Sequence, residues 1–236
     1  MKATARLSNP AVLIMAGGCL VCAILLLVGW LGQPGYILKS IIRMGLFIGV
    51  PLLGTVLLPD PAGQSAGRQL LALFTSGSSR RRLIMTLIIG LVGTGVLFGL
   101  LAALGQLAGL PVFLSGVKSI RPDRPEVVFK LLIYIPVVNA LGEEFFFRYF
   151  CCLKLASHLP VQSARLYSAV LFAVYHLSIM RGWFSWPLLS ICLGLLFVAG
   201  WILGGIAAAD RHLLRVWLLH GLANLIILVP SIGLAA

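Results

Sequence analysis

Acidic residues are scarce in this sequence. Six Asp and Glu occur in 236 residues, against 18 Lys and Arg, and the charged types together make up 10% of the chain. A soluble domain carries about 25%. There is too little polar surface here to cover a water-soluble globule, so a soluble enzyme is excluded. With 60% of residues hydrophobic, intrinsic disorder is excluded too. Five cysteines sit in or beside apolar runs and form neither a disulfide framework nor a zinc knuckle. Cys19 and Cys22, a C-x-x-C within an apolar run, and Cys151-Cys152 near a helix end are expected to be packing residues. The net charge of +12 does not mark a nucleic-acid partner. The cations are dispersed between apolar runs, with one cluster at Arg80-Arg81-Arg82, as orientation in a bilayer requires.

What is present is a series of long apolar runs. A bilayer-spanning helix needs roughly 20 residues. The expected fold is therefore all-α, a polytopic transmembrane helix bundle of about seven spans. The first is Ala11–Gly32, too long for the apolar region of a signal peptide and without a small-residue cleavage site, so it is read as an uncleaved span. The second is about 37–58 and the third about 83–110. Between them lies a Gly, Ser and Pro-rich linker whose Arg68–Phe74 segment is expected to lie flat on the membrane surface. A polar connection, 111–124, precedes an unusually long fourth helix, about 126–157. The remaining spans are about 163–180, 186–209 and 214–232, with a polar turn at Asp210-Arg211-His212. His158 and His212 fall in loops and are expected to be solvated. With the N-terminus in the cytoplasm, 11 of the 18 Lys and Arg fall on the inner side. The organisation expected is an N-terminal helical part, 1–125, and a catalytic bundle, 126–236, in one integral membrane unit.

Because acids are few, each needs a reason. Asp60, Asp123, Glu126 and Asp210 lie at the ends of apolar runs or in loops. Glu143 and Glu144 lie mid-helix, about 15–20 Å from either end at about 1.5 Å per residue. Ionisable residues inside a span need a partner or a function. Glu144 and Arg148 are four apart, in the favourable order for an ion pair on one face. Glu143 points about 100° away and has no local partner in the sequence. A carboxylate in an apolar core is a stronger base than one in water, which suits general acid–base work. Two further spans carry Phe172-x-x-x-His176 and His220-x-x-x-Asn224. Glu, two His and Asn can activate a water and stabilise an oxyanion. Glu143, His176 and His220 could equally hold zinc. Gly142 and Gly221, next to motif residues, could allow close helix approach.

The ordered set Glu143-Glu144-x-x-x-Arg148, Phe172-x-x-x-His176 and His220-x-x-x-Asn224 resembles the three motifs of the CPBP family of intramembrane proteases. That family includes the type II CAAX prenyl endopeptidases and bacteriocin-immunity and Abi-type proteins. The resemblance covers about residues 126–234. It implies an intramembrane endopeptidase acting on a membrane-embedded or membrane-anchored protein or peptide near its terminus, as in CAAX processing or bacterial leader or sorting-tail maturation. Carried over, Glu143 would activate water with His176 beside it, and His220 and Asn224 would stabilise the oxyanion. Glu144 and Arg148 would hold these groups in place, and Phe172 would pack one turn from His176. A glutamate mechanism without a cofactor is favoured, with zinc as the alternative. A compact chain with short loops points to a bacterial inner membrane.

Other classes fit less well. A transporter with a Glu/His proton relay predicts broken helices and inverted repeats, which the sequence does not show. A non-catalytic immunity-type protein of the same fold would not require every motif position to be filled. A rhomboid-like serine protease wants its Ser inside a span, whereas Ser78-Ser79 lies in a basic linker.

Overall fold

The computed structural model describes residues 9–32, 35–58, 60–75, 79–108, 132–180 and 184–235. Among them every regular element is helical, as composition and run length require. Helix α1 (Asn9–Leu27) continues into a wider π turn, Val28–Gly32. It is followed by α2 (Tyr36–Leu57), the short α3 (Ala66–Thr75) and α4 (Arg80–Ala108). Helix α5 is composite: a π segment Tyr134–Asn139, an α segment Ala140–Glu144, a second π segment Phe145–Lys154 and a closing 3₁₀ turn Leu155–Ser157. Then come α6 (Val161–Met180), α7 (Trp186–Asp210) and α8 (Leu214–Ala235). Several expected features lie outside the described residues: the end of the third span at 109–110, the connection 111–124, Glu126, and Lys2, Arg6, Gly77, Ser78, Lys130 and Arg181.

Among the described residues, four helices are long and apolar enough to cross a membrane: Asn9–Leu31, Ile37–Leu57, Val161–Met180 and Trp186–Asp210. On length and composition this is an integral membrane protein. Their outward faces stay apolar, with residues such as Leu20, Ile41, Leu53 and Ile202 exposed, as lipid contact demands.

The chain divides into two compact units. One comprises Met1–Ser76, Gly142–Ile179 and Gly194–Leu213. Its core is the second half of α5, where every residue from 142 to 155 is buried. A helix segment buried on every face needs partners on every face, and aromatic rings supply many of them here. Phe47 of α2 stacks on Phe146 at 4.9 Å and meets Phe147 and Tyr175 edge-on at 5.4 and 5.2 Å. Helix α3 forms where a surface-lying segment was expected, and ties to the turn after α7 through Leu213 N–H donating to the Leu73 carbonyl, 3.0 Å. That tie corrects the expectation for His212. Arg211 adopts φ 61° and is exposed, which turns the next two residues inward, so His212 is buried rather than solvated. His158 is half-buried. Cys22, Cys151, Cys152 and Cys192 are buried free thiols, in keeping with packing roles.

The other unit comprises Gly77–Leu141, Met180–Leu193 and Leu214–Ala236. Here α8 packs on α4 and on the first π segment of α5. Pro136 lacks an N–H and cannot join a regular ladder. The helix widens around it, and the Ala140 N–H reaches the Ile135 and Val137 carbonyls. Helix α8 supplies second donors to the same two carbonyls: Trp217 Nε1 to Val137 O at 2.9 Å, and Asn224 Nδ2 to Ile135 O at 3.4 Å. Between those donors stands Gly221, where a Cβ would sit 2.5 Å from the Pro136 carbonyl oxygen. Close approach at this glycine is therefore a property of the structure, and Arg215 bonding to Thr86 anchors the other side of α8.

Gly221→Ala is accordingly expected to destabilise the protein by about 1–3 kcal/mol through overpacking, read as a lower midpoint of thermal unfolding in detergent. Gly93→Ala on α4, where a Cβ meets nothing within 4 Å, is expected to leave the midpoint unchanged or slightly raised.

Candidate active site

The first unit brings five of the sequence-predicted residues together. Glu144 and Arg148 are both fully buried, with Arg148 Nε 3.1 Å from a Glu144 carboxylate oxygen. The pair forms because α5 places them one turn apart on one face. Arg148 also lies over the Phe172 ring, its Cζ 4.4 Å from the ring centroid. A guanidinium is weakly hydrated and favours an aromatic face. Phe172 thus does more than pack beside His176: it seats the cation that neutralises Glu144, and fixes α6 against α5.

One turn on, His176 is half-buried. Its Nδ1 lies 2.7 Å from the Phe172 carbonyl, and its ring stands edge-on to Phe172 at 4.6 Å. A carbonyl only accepts, so Nδ1 carries a proton here, which in the neutral tautomer makes Nε2 the acceptor.

Glu143 is buried and accepts a hydrogen bond from the Tyr175 hydroxyl, 3.3 Å to Oε1. Tyr175 in turn accepts from Arg43 Nη1 of α2, 3.3 Å, and Arg43 Nη2 donates to Ser40, 3.4 Å. Glu143, which lacked a partner in the sequence, gains one through the fold. Tyr175 and Arg43 are the site residues that sequence reasoning missed. Their signals were present: Tyr175 directly precedes His176, and Arg43 is an arginine two turns inside an apolar span. Beside this group lies a cavity of about 60 Å³ lined by Lys39, Arg43, Tyr175, Gly29 and Ser178, among others. One water needs about 15 Å³, so water can stand next to the Tyr175 hydroxyl. Gly142, just before the carboxylates, lets Met44 of α2 pack directly on the α5 backbone.

His220 and Asn224 belong to the second unit. His220 is buried on α8. Asn224 spends one of its two amide hydrogens on the Ile135 carbonyl, leaving the other for a ligand. Among the described residues no three His, Cys, Asp or Glu side chains converge as a metal-ligand set.

Replacing Arg148 by Met is expected to strand the Glu144 carboxylate in an apolar core. Breaking a buried pair in this way costs about 3–5 kcal/mol, seen as a large fall in the unfolding midpoint. Adding Glu144→Gln to Arg148→Met is expected to recover most of that loss.

Residues 125–226 match the family model described as Type II CAAX prenyl endopeptidase Rce1-like. No curated protein and no solved structure matches the chain. The matched stretch covers a little over two fifths of the sequence and includes every motif residue from Glu143 to Asn224. This stretch is thus a domain of the Rce1-like, type II CAAX prenyl endopeptidase family, set in a helical membrane protein.

Proposed function

We propose that this protein is an intramembrane endopeptidase of the glutamate type, hydrolysing a peptide bond near the terminus of a membrane-embedded or membrane-anchored protein or peptide. The observation that carries the reading is the unequal treatment of two adjacent buried carboxylates. Glu144 is paired with Arg148, while Glu143 accepts a hydrogen bond from a neutral hydroxyl, that of Tyr175.

In this reading Glu143 takes a proton from a water, and the resulting hydroxide adds to the scissile carbonyl carbon. By the family resemblance, the developing oxyanion is assigned to His220 and Asn224. The C–N bond then breaks, and the protonated Glu143 returns its proton to the leaving amine. His176 Nε2 accepts from the attacking water and orients it. Tyr175, held by Arg43, fixes the Glu143 carboxylate. Hydrolysis needs water where a bilayer excludes it, and the cavity beside Arg43 and Tyr175 supports a supply from that side.

The wider reading completes the topology. Helices α4, α5 and α8 join the four long apolar helices to give seven spans, with the N-terminus in the cytoplasm of a bacterial inner membrane. Residues 126–236 then act as the catalytic bundle, and 1–125 as the N-terminal helical part.

The test is cleavage of a tagged membrane-peptide substrate by purified protein in detergent. Glu143→Ala is expected to lower the rate by about 10²–10⁴, the usual range for a lost general base. His176→Ala is expected to fall in the same direction, and a chelator to leave the wild type active. Full cleavage by Glu143→Ala contradicts the protease reading. Loss with chelator, restored by zinc, replaces the glutamate route with a metal one held by Glu143, His176 and His220.

A further inference from the structure

A second polar cavity lies in the first unit, apart from the carboxylate site, where α2, α5 and α7 end and α3 begins. It has a volume of about 390 Å³, and its lining includes Asp60, Gln69, Lys154, His158 and Arg211 together with apolar Leu73 and Leu153. The protease reading uses none of these residues.

Lys154 is the unusual member. It is 5% exposed, yet among the described residues it has no ion pair. Its one hydrogen bond is to the neutral amide oxygen of Gln69, at 3.4 Å. The same oxygen accepts from Tyr149, 3.4 Å, and the Gln69 amide nitrogen is tied to the Gln64 carbonyl, 3.0 Å. Gln69 is therefore fixed by its neighbours and can satisfy only one of the three ammonium hydrogens. A buried ammonium with two unmet donors is costly unless an acceptor reaches it. Asp60, also in the lining, makes no ion pair with Lys154, and its Oδ2 accepts from the Gln64 N–H at 2.9 Å. His158 adds a buried Nε2 with no partner among the described residues. At the mouth Arg211 is exposed, in a left-handed turn that presents it at the rim.

The charges decide the ligand. Lys154 and Arg211 exceed Asp60 by one positive charge, which suits a single negative charge rather than two. The cavity stands at the level where the long helices stop, which is where a bilayer carries its phosphates. One wall is apolar at Leu73 and Leu153. A phosphodiester attached to a hydrophobic tail meets all three conditions.

We propose that this cavity is a binding site for the phosphodiester headgroup of a membrane phospholipid, with Lys154 as the buried phosphate donor and Arg211 as the donor at the rim. Ligand binding here needs no protease activity, so the proposal stands or falls separately from the proposed function.

The experiment measures binding to the full-length protein in detergent by native mass spectrometry, with thermal unfolding alongside. The probes are phosphatidylglycerol, diacylglycerol, which lacks the phosphate, and inorganic phosphate, which lacks the tail. The wild type is expected to bind phosphatidylglycerol saturably and to gain stability from it. Lys154→Gln is expected to weaken that binding about tenfold, the scale of a lost hydrogen bond to a charged group. Arg211→Gln, at an exposed position where folding is not at risk, is expected to weaken it severalfold. Diacylglycerol is expected not to bind, and inorganic phosphate to bind far more weakly. Equal binding of phosphatidylglycerol by the wild type and Arg211→Gln overturns the proposal, as does diacylglycerol binding as tightly as phosphatidylglycerol. Inorganic phosphate binding as tightly as the lipid overturns the lipid as occupant.

Discussion

A carboxylate moved from water into an apolar interior must be neutralised, protonated or hydrogen-bonded, because its bare desolvation cost exceeds the stability of a whole domain. Helix α5 meets this constraint twice in succession. Glu144 is neutralised by Arg148 on the next turn. Arg148, itself enclosed, rests its guanidinium on Phe172. That contact fixes the rotation of α6, and His176 follows Phe172 by one turn on the same face. Tyr175 is thereby placed against Glu143. The Glu144–Arg148 pair thus joins the ion-pair chemistry of α5 to the aromatic contact that holds α6. The one guanidinium on this helix is committed to Glu144, and Glu143 instead takes a hydroxyl donor from α6.

The N-terminal helices take part in this arrangement. The family match begins at residue 125, yet Arg43 and Phe47 of α2 reach the carboxylate site and its aromatic surroundings. A domain defined by sequence similarity is in this case completed by side chains from outside it. In the second unit the same economy appears at Pro136. A proline widens the helix, and Trp217 and Asn224 take up the Val137 and Ile135 carbonyls from across a glycine contact. Asn224 thus has a structural bond of its own, alongside any role in chemistry.

The parts of this account visible in the sequence are those set by short-range spacing. Glu144 and Arg148 pair at four residues' separation, Phe172 and His176 share a face, and the long apolar runs become helices near the expected ends. What spacing could not show is tertiary. Tyr175, which donates to Glu143, lies 32 residues away on another helix, and Arg43, which donates to Tyr175, lies on a third. The π widening of α5 was not legible either, because an apolar run marks a helix without fixing its residues per turn. His212 was misplaced for a related reason: the left-handed turn at Arg211 follows from the tie between Leu213 and α3, and composition suggested only a polar loop.

The division of labour between the two carboxylates is tested most directly by measuring substrate cleavage and thermal unfolding on the same preparations of Glu143→Gln and Glu144→Gln. The account predicts that Glu143→Gln unfolds near the wild-type temperature and cleaves nothing above background. It predicts that Glu144→Gln, which leaves Arg148 charged and buried without its counter-ion, loses several degrees of stability whatever activity it keeps. The reverse pattern, an active Glu143→Gln beside a fully stable Glu144→Gln, would contradict it.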